Sequence, residues 1–245
     1  APILHTLMTH PAMIRYFYLD SVITTVDATL GHEQLAQYPE SVKQVALADR
    51  IVLTKTDLSE ESVRDALQSE LAQLNPGAKI AQTEGRNFDP ELILGTGLYD
   101  VKTQQARISS WLPDHATRLV KSALSTHSPD IATFCFVRSV PISRAILGLW
   151  LLELARDYGD QLLRIKGLVN VEHLAGALAV QGVQHRIYPP MHLTQWPSAD
   201  QRTRIVFITR KFQQEIIEAH FMVVCQRLSE ERCDEKNNPD VWQIC

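Results

Sequence analysis

The front half of the chain alternates short β-branched runs with amphipathic stretches, and this alternation constrains the fold more than any other feature. Val22-Ile-Thr-Thr-Val26 is too short for a helix and too apolar for a surface loop, so it reads as a buried strand ending at Asp27. A helical stretch follows with Val42, Val45 and Ala46 on one face. Arg50-Ile-Val-Leu53 is a second strand, running into Thr54-Lys55-Thr56-Asp57. Ser59 is placed to cap the next helix, with Glu60 and Glu61 in its first turn. Val63, Leu67, Leu71 and Leu74 then recur at helical spacing until Asn75-Pro76-Gly77 stops the run. Ala78 to Ala81 supplies a third strand. Strands separated by helices predict parallel βαβ units with right-handed crossovers.

The style changes after a polar stretch from Pro113 to Asp130, which contains Ser125-Thr-His-Ser-Pro129 and reads as a linker. Thr133 to Val137 predicts a strand, and Ser143 caps a helix carrying Ile146, Leu147, Trp150, Leu151 and Leu154. Strands over Leu162–Val171, Leu178–Tyr188 and Arg204–Ile208 follow with no helix between them. A last helix carries Phe212, Ile216, Ile217, Phe221 and Val224. Neighbouring strands without intervening helices predict an antiparallel sheet covered by two helices, an α+β domain. The expected organisation is an α/β portion at 1–112, a linker at 113–130, the α+β domain at 131–228 and a mobile polar tail at 229–245. The α+β domain is expected to fold on its own and to be hinged loosely to the front.

Composition narrows the function classes. A net charge of −4 argues against a broad nucleic-acid surface, and no apolar run reaches the roughly 20 residues of a membrane span. The start has no basic-then-apolar run, so no secretory leader is expected. Cys135, Cys225, Cys233 and Cys245 are sparse and irregular, as expected of reduced thiols in a cytoplasmic protein.

The sharpest chemical signal is Thr54-Lys55-Thr56-Asp57, because α/β proteins bind ligands at loops leaving the carboxyl edge of parallel strands. A carboxylate there can accept hydrogen bonds from guanine N1–H and its exocyclic amino group, a donor pair that adenine lacks. The stem of Lys55 can lie along the base while its ammonium stays solvated. A solvated loop with a helix-start Asp is the plain alternative. Asp27 could reach a ribose hydroxyl or a water near Mg²⁺, although a turn-forming Asp is the simpler reading. Arg164 and Lys166 share one face of a strand, as a basic strip for a client or phosphate or, more simply, a solvated sheet face. His173, His185 and His192 lack the spacing of a zinc site, Cys233 and Cys245 could catch metal only adventitiously, and Cys135 reads as a small core residue.

Taken in order, Val22-Ile-Thr-Thr-Val-Asp27-Ala, Gln44 and Ala48-Asp49-Arg-Ile-Val-Leu-Thr-Lys-Thr-Asp57-Leu resemble the CobW family of metallochaperone GTPases. The second half is similar to the CobW C-terminal domain through Leu162-Leu-Arg-Ile-Lys166-Gly167, Val180-Gln-Gly-Val-Gln184 and Thr203-Arg-Ile-Val-Phe-Ile208. The resemblance covers nearly all of the chain up to about residue 225. It implies a P-loop-type GTPase domain of the SIMIBI class, with GTP and Mg²⁺ as cofactors and Thr54, Lys55 and Asp57 reading guanine. It also implies delivery of zinc or cobalt to a client metalloprotein or a cobalamin-pathway protein.

The departures are equally specific. The 245 residues contain no Gly-x-x-x-x-Gly-Lys-Ser/Thr loop, no Cys-x-Cys-Cys motif and no Glu-x-x-Gly switch. Ala1-Pro2-Ile3 resembles the sequence just after that switch, so the phosphate-binding part is expected upstream. Backbone N–H groups of the missing loop, its Lys and its hydroxyl would cradle the phosphates and Mg²⁺. The chain by itself is therefore expected not to hydrolyse GTP. Two other readings remain: a non-enzymatic module that docks a client protein, and an unrelated α/β nucleotide-binding or transferase protein in which Lys55-Thr56-Asp57 is coincidental.

Overall fold

The computed structural model describes residues 4, 6–7, 10–17, 20–83, 89–90 and 130–237. Most of the linker predicted at 113–130 lies outside them. After a short helix α1 (Pro11–Tyr16), the front region runs β1 (Ile23–Asp27), α2 (Gly31–Gln37), α3 (Pro39–Leu47), β2 (Arg50–Thr54), a 3₁₀ turn (Thr56–Leu58), α4 (Glu61–Leu74) and β3 (Lys79–Gln82). The three strands form a parallel sheet in the order β1-β2-β3. Ile51, Val52 and Leu53 are all buried, as a central strand covered on both faces requires.

The helices bury the faces that their spacing implied. Val42, Val45, Ala46 and Leu47 of α3 and Leu67 and Leu71 of α4 are buried, while Val63 stays exposed. Gly31 opens α2 where a Cβ would meet the Leu67 side chain at 2.7 Å and that of Val26 at 2.9 Å, so a larger residue would have to displace both methyl groups. Ser59 does not cap α4. The N-cap is Glu60, without a side-chain cap bond, and the Ser59 hydroxyl donates to Ala28 O at 3.2 Å. Asn75 does more than stop a helix: its buried amide donates to Val45 O at 2.8 Å and Ala48 O at 2.9 Å, tying off the end of α3.

The back region comprises β4 (Ile131–Arg138), α5 (Arg144–Tyr158), β5 (Leu162–Val169), β6 (Ala177–Val183), β7 (Arg186–Ile187), β8 (Met191–Leu193), β9 (Thr203–Arg210) and α6 (Gln214–Asn237). The Ser143 side chain accepts from Ile146 N at 3.3 Å, the expected cap of α5. The strands form one antiparallel sheet, β4-β9-β5-β6-β7, with β8 also paired to β6. The single strand predicted at Leu178–Tyr188 is instead a tight hairpin, reversing at Gln184 with φ 51°. The last helix continues to Asn237, past the point where polar composition predicted a mobile tail to begin.

One face of this sheet packs under α5 and α6. Trp150 sits between Phe136 and Phe221, each ring centroid 4.9 Å away. The opposite face carries Leu163, Leu168, Val206 and Ile208 into one continuous apolar cluster with Val45, Leu47, Leu67 and Leu71 of the front region. Leu162, Ile165 and Val169 alternate toward the helices. Every residue of β5 is therefore buried.

This packing overturns the expectation that Arg164 and Lys166 form a solvated face. Both are buried in the seam between the two sheets. Arg164 pairs with Asp49, whose other oxygen accepts from Val22 N at 3.0 Å. Lys166 Nζ donates to Gly77 O at 2.8 Å, and Thr133 Oγ1 donates to Leu74 O at 2.8 Å. Burial, relieved in part by Asp49, pushes the Lys166 amine down to about 7. A loose hinge does not fit these contacts.

Candidate functional site

Parallel pairing aligns the carboxyl ends of the front strands. Asp27 is the register partner of Thr54, and Leu53 that of Gln82, so Asp27, Thr54–Asp57 and Thr83 share one edge. Ala28 N donates to Thr54 O and Thr83 N to Leu53 O, each at 2.9 Å, which carries the ladder into the loops.

The 54–57 loop is built to hold two side chains out and two in. Thr54 Oγ1 donates to Val26 O at 3.3 Å, and Thr56, buried, donates to Thr83 O at 2.6 Å. Between them Lys55 takes the left-handed conformation (φ 58°, ψ 34°), which non-glycine residues rarely adopt. That reversal leaves Lys55 and Asp57 exposed. Arg64, one turn into α4, fixes the loop backbone through Thr56 O at 2.8 Å and Ser59 O at 2.7 Å. Strain of this kind persists only where surrounding bonds over-determine the backbone, and it is concentrated at functional sites.

Asp27 serves both as a turn residue and as a partner of Lys55. Its Oδ1 accepts from Thr29 N at 2.8 Å and Thr29 Oγ1 at 2.7 Å. Its Oδ2 accepts from Lys55 Nζ at 2.5 Å. Burial by itself pushes this carboxyl up, but the bonds from Lys55 and Thr29 outweigh it and hold Asp27 well below the ordinary carboxylate range. The result at this edge is a fixed carboxylate, an ammonium held over it, and a second carboxylate, Asp57, exposed beside them.

The remaining candidates do not converge. His185 contacts Ala155 O and Asp160 Oδ1, each at 3.1 Å, and His192 contacts Ala175 O at 2.6 Å. No group of three or more His, Cys, Asp or Glu side chains that could hold a metal occurs among the described residues. Burial pushes the Cys135 thiol up to about 12, which disfavours the thiolate that nucleophilic chemistry needs. Sequence reasoning missed Thr83 and Arg64, whose roles depend on backbone carbonyls brought near by the fold and carry no local signal. No helix among the described residues is long and apolar enough to cross a membrane.

Comparison with known proteins matches both regions. Residues 1–82 fit the CobW/HypB/UreG nucleotide-binding domain, and residues 131–224 fit the cobalamin synthesis protein cobW C-terminal domain. The zinc chaperone YjiA of Escherichia coli is 27% identical over 220 residues, covering 90% of this chain; the chain spans 65% of that relative's length. The crystal structure of the Zn(II)-bound YjiA GTPase superposes with a TM-score of 0.67 at 25% identity, over 91% of this chain and 66% of the other. A Zn(II)-bound triple mutant of YjiA gives 0.65. With the parallel α/β region in front, the antiparallel α+β region behind and both family domains in order, the chain belongs to the CobW family.

Proposed function

We propose that this chain forms the base-reading and client-facing part of a CobW-type metallochaperone GTPase that delivers zinc or cobalt in the cytoplasm. The observation that carries the reading is the strained, multiply anchored Thr54–Asp57 loop at the carboxyl edge of the parallel sheet. In this reading Asp57 accepts from guanine N1–H and the exocyclic amino group, Lys55 lays its stem along the base, and Thr54 shapes the loop. Asp27 steadies the Lys55 ammonium.

The guanine end of GTP fits the residues present. The phosphate end and Mg²⁺ do not, because no Gly-rich phosphate loop exists in the 245 residues. Hydrolysis accordingly depends on a segment outside these residues, and the chain alone turns over no GTP. The transported metal is cargo, passed to a client metalloprotein or a cobalamin-pathway protein. The domain limits supporting this division of labour are 1–112 for the nucleotide part and 131–228 for the client-facing part.

The test fuses a segment carrying a Gly-x-x-x-x-Gly-Lys-Ser/Thr loop ahead of Ala1. The fusion should bind GTP and hydrolyse it slowly with Mg²⁺. In it, Asp57→Asn should weaken GTP binding by about 1.5–3 kcal/mol and shift preference toward xanthine nucleotides. Unchanged GTP affinity in Asp57→Asn would refute the base-reading role, and GTP turnover by the unfused chain would refute the dependence on an outside segment.

A further inference from the structure

The back region carries an open groove of about 910 Å³ between α5 and the β6–β7 end of the sheet. Its floor is apolar: Leu147, Leu151 and Ala155 from the helix face Leu178 and Ile187 from the sheet and Tyr188 just beyond β7. Leu152, at its rim, is 65% exposed, and the exposed Pro189 and Pro190 form one wall. The groove shares no residue with the Thr54–Asp57 loop.

Two observations say what fits it. First, Arg144, His185, Arg186 and His192 line the groove, and no carboxylate does among the described residues. Asp160 touches His185 from outside, and Arg186 lies 6.0 Å from the Tyr188 ring centroid. An apolar floor with a basic margin complements an apolar segment flanked by carboxylates. Second, Gly148 sits within α5 on the groove surface, and a Cβ built there meets nothing within 4 Å. Glycine inside a helix is destabilising relative to alanine. Among the described residues nothing packed against Gly148 requires a glycine, whereas a second helix crossing at this point would, because small residues allow close backbone approach.

We propose that this groove receives an amphipathic helix of a partner protein, its apolar face on Gly148, Leu152, Leu178 and Ile187 and its acidic margins on Arg144 and Arg186. The mode is a helix laid in a groove, read through side chains one turn apart. It does not depend on guanine binding, so failure of one proposal leaves the other intact.

The test uses the full 245-residue chain and two fluorescein-labelled helical peptides with the same leucine face, one flanked by Glu and one by Lys. Fluorescence anisotropy should show the Glu-flanked peptide binding at least about tenfold more tightly, with the difference shrinking as salt rises. Arg144→Glu with Arg186→Glu should reverse the preference. Gly148→Leu should lower affinity for the Glu-flanked peptide about tenfold or more, while the open space around Gly148 leaves the fold intact by circular dichroism and Tm. Gly148→Ala should raise Tm and weaken binding, two effects that a purely structural role would not combine. Equal binding of the two peptides, no saturable binding of the Glu-flanked one, or unchanged affinity in Gly148→Leu overturns the proposal. A dimer in sedimentation that Gly148→Leu dissociates also overturns it, in favour of a second copy of this chain as the occupant.

Discussion

The parallel front sheet and the antiparallel back sheet bury their strands differently. In front, only the central strand β2 is buried along its length, and the chemistry sits at the carboxyl edge of the sheet, where Asp27, Lys55 and Asp57 leave the ladder together. Behind, β5 and its neighbours β6 and β9 are covered on both faces, by α5 and α6 on one side and by the front region on the other. An antiparallel sheet commonly keeps one face wet. Here that face is the interface with the front region, and two of the charges it carries, Arg164 and Lys166, bond across it. The lesson is that the front offers polar groups at an edge, whereas the back hides them in a seam.

The strongest way to break this contrast is Asp49→Ala. It leaves the Arg164 guanidinium buried without its carboxylate and frees Val22 N. Losing one partner of a buried pair should cost about 3–5 kcal/mol. Urea unfolding followed by tryptophan fluorescence should show one cooperative transition moved to lower urea. A transition of the back region that stays where it was would show that the seam does not couple the sheets.

Leu163→Ala tests the apolar part of the same seam. The side chain is fully buried in the cluster shared by both sheets, so its truncation should cost about 2–5 kcal/mol. Hydrogen exchange should rise in α3 and α4 as well as in β5. Exchange confined to the back region would mean that the front packs too loosely to feel the cavity.

Lys166 gives the seam a pH dependence. Its folded pKa, near 7, lies below its ordinary 10.5, so between these values the unfolded chain binds more protons than the folded one. Stability should therefore rise with pH through that window, by about 2 kcal/mol from pH 7 to 9, and be independent of this group well below pH 7. Urea midpoints measured against pH should show the rise, and Lys166→Met should flatten it. A slope unchanged in Lys166→Met would assign it to other groups.

The smallest effect belongs to the exposed edge. Lys55→Gly removes the left-handed strain and the ion pair with Asp27 at once, so stability should change by no more than about 1 kcal/mol. In the fused GTP-binding form the same change should weaken GTP clearly, as measured by calorimetry. A large loss of stability with unaltered affinity would make Lys55 a structural residue.

Much of the fold was legible because its signals are local. The spacing of Leu67 and Leu71, the cap at Ser143, the β-branched run Ile51–Leu53 and the order of motifs each report on a few neighbouring residues, and each element formed close to where it was read. The Lys55 and Asp57 positions at a strand edge followed from the same local logic. Ser59 and the 178–188 run were misread by a residue or a turn, since a hydroxyl can leave a cap for Ala28 O and a strand can reverse without glycine at Gln184.

The sequence by itself determined the two architectures, their order, and which loop stands at the carboxyl edge, because hydrophobic period and turn chemistry act over a few residues. Only the tertiary structure decided that Arg164 and Lys166 are buried, that Asp49 is their counter-charge, and that Arg64 and Thr83 anchor the 54–57 loop. Arg164 and Asp49 stand 115 residues apart, and an alternating basic strand reads alike whether water or another sheet covers it. What covers it is settled by docking two apolar surfaces, a property of the whole chain that no local window contains.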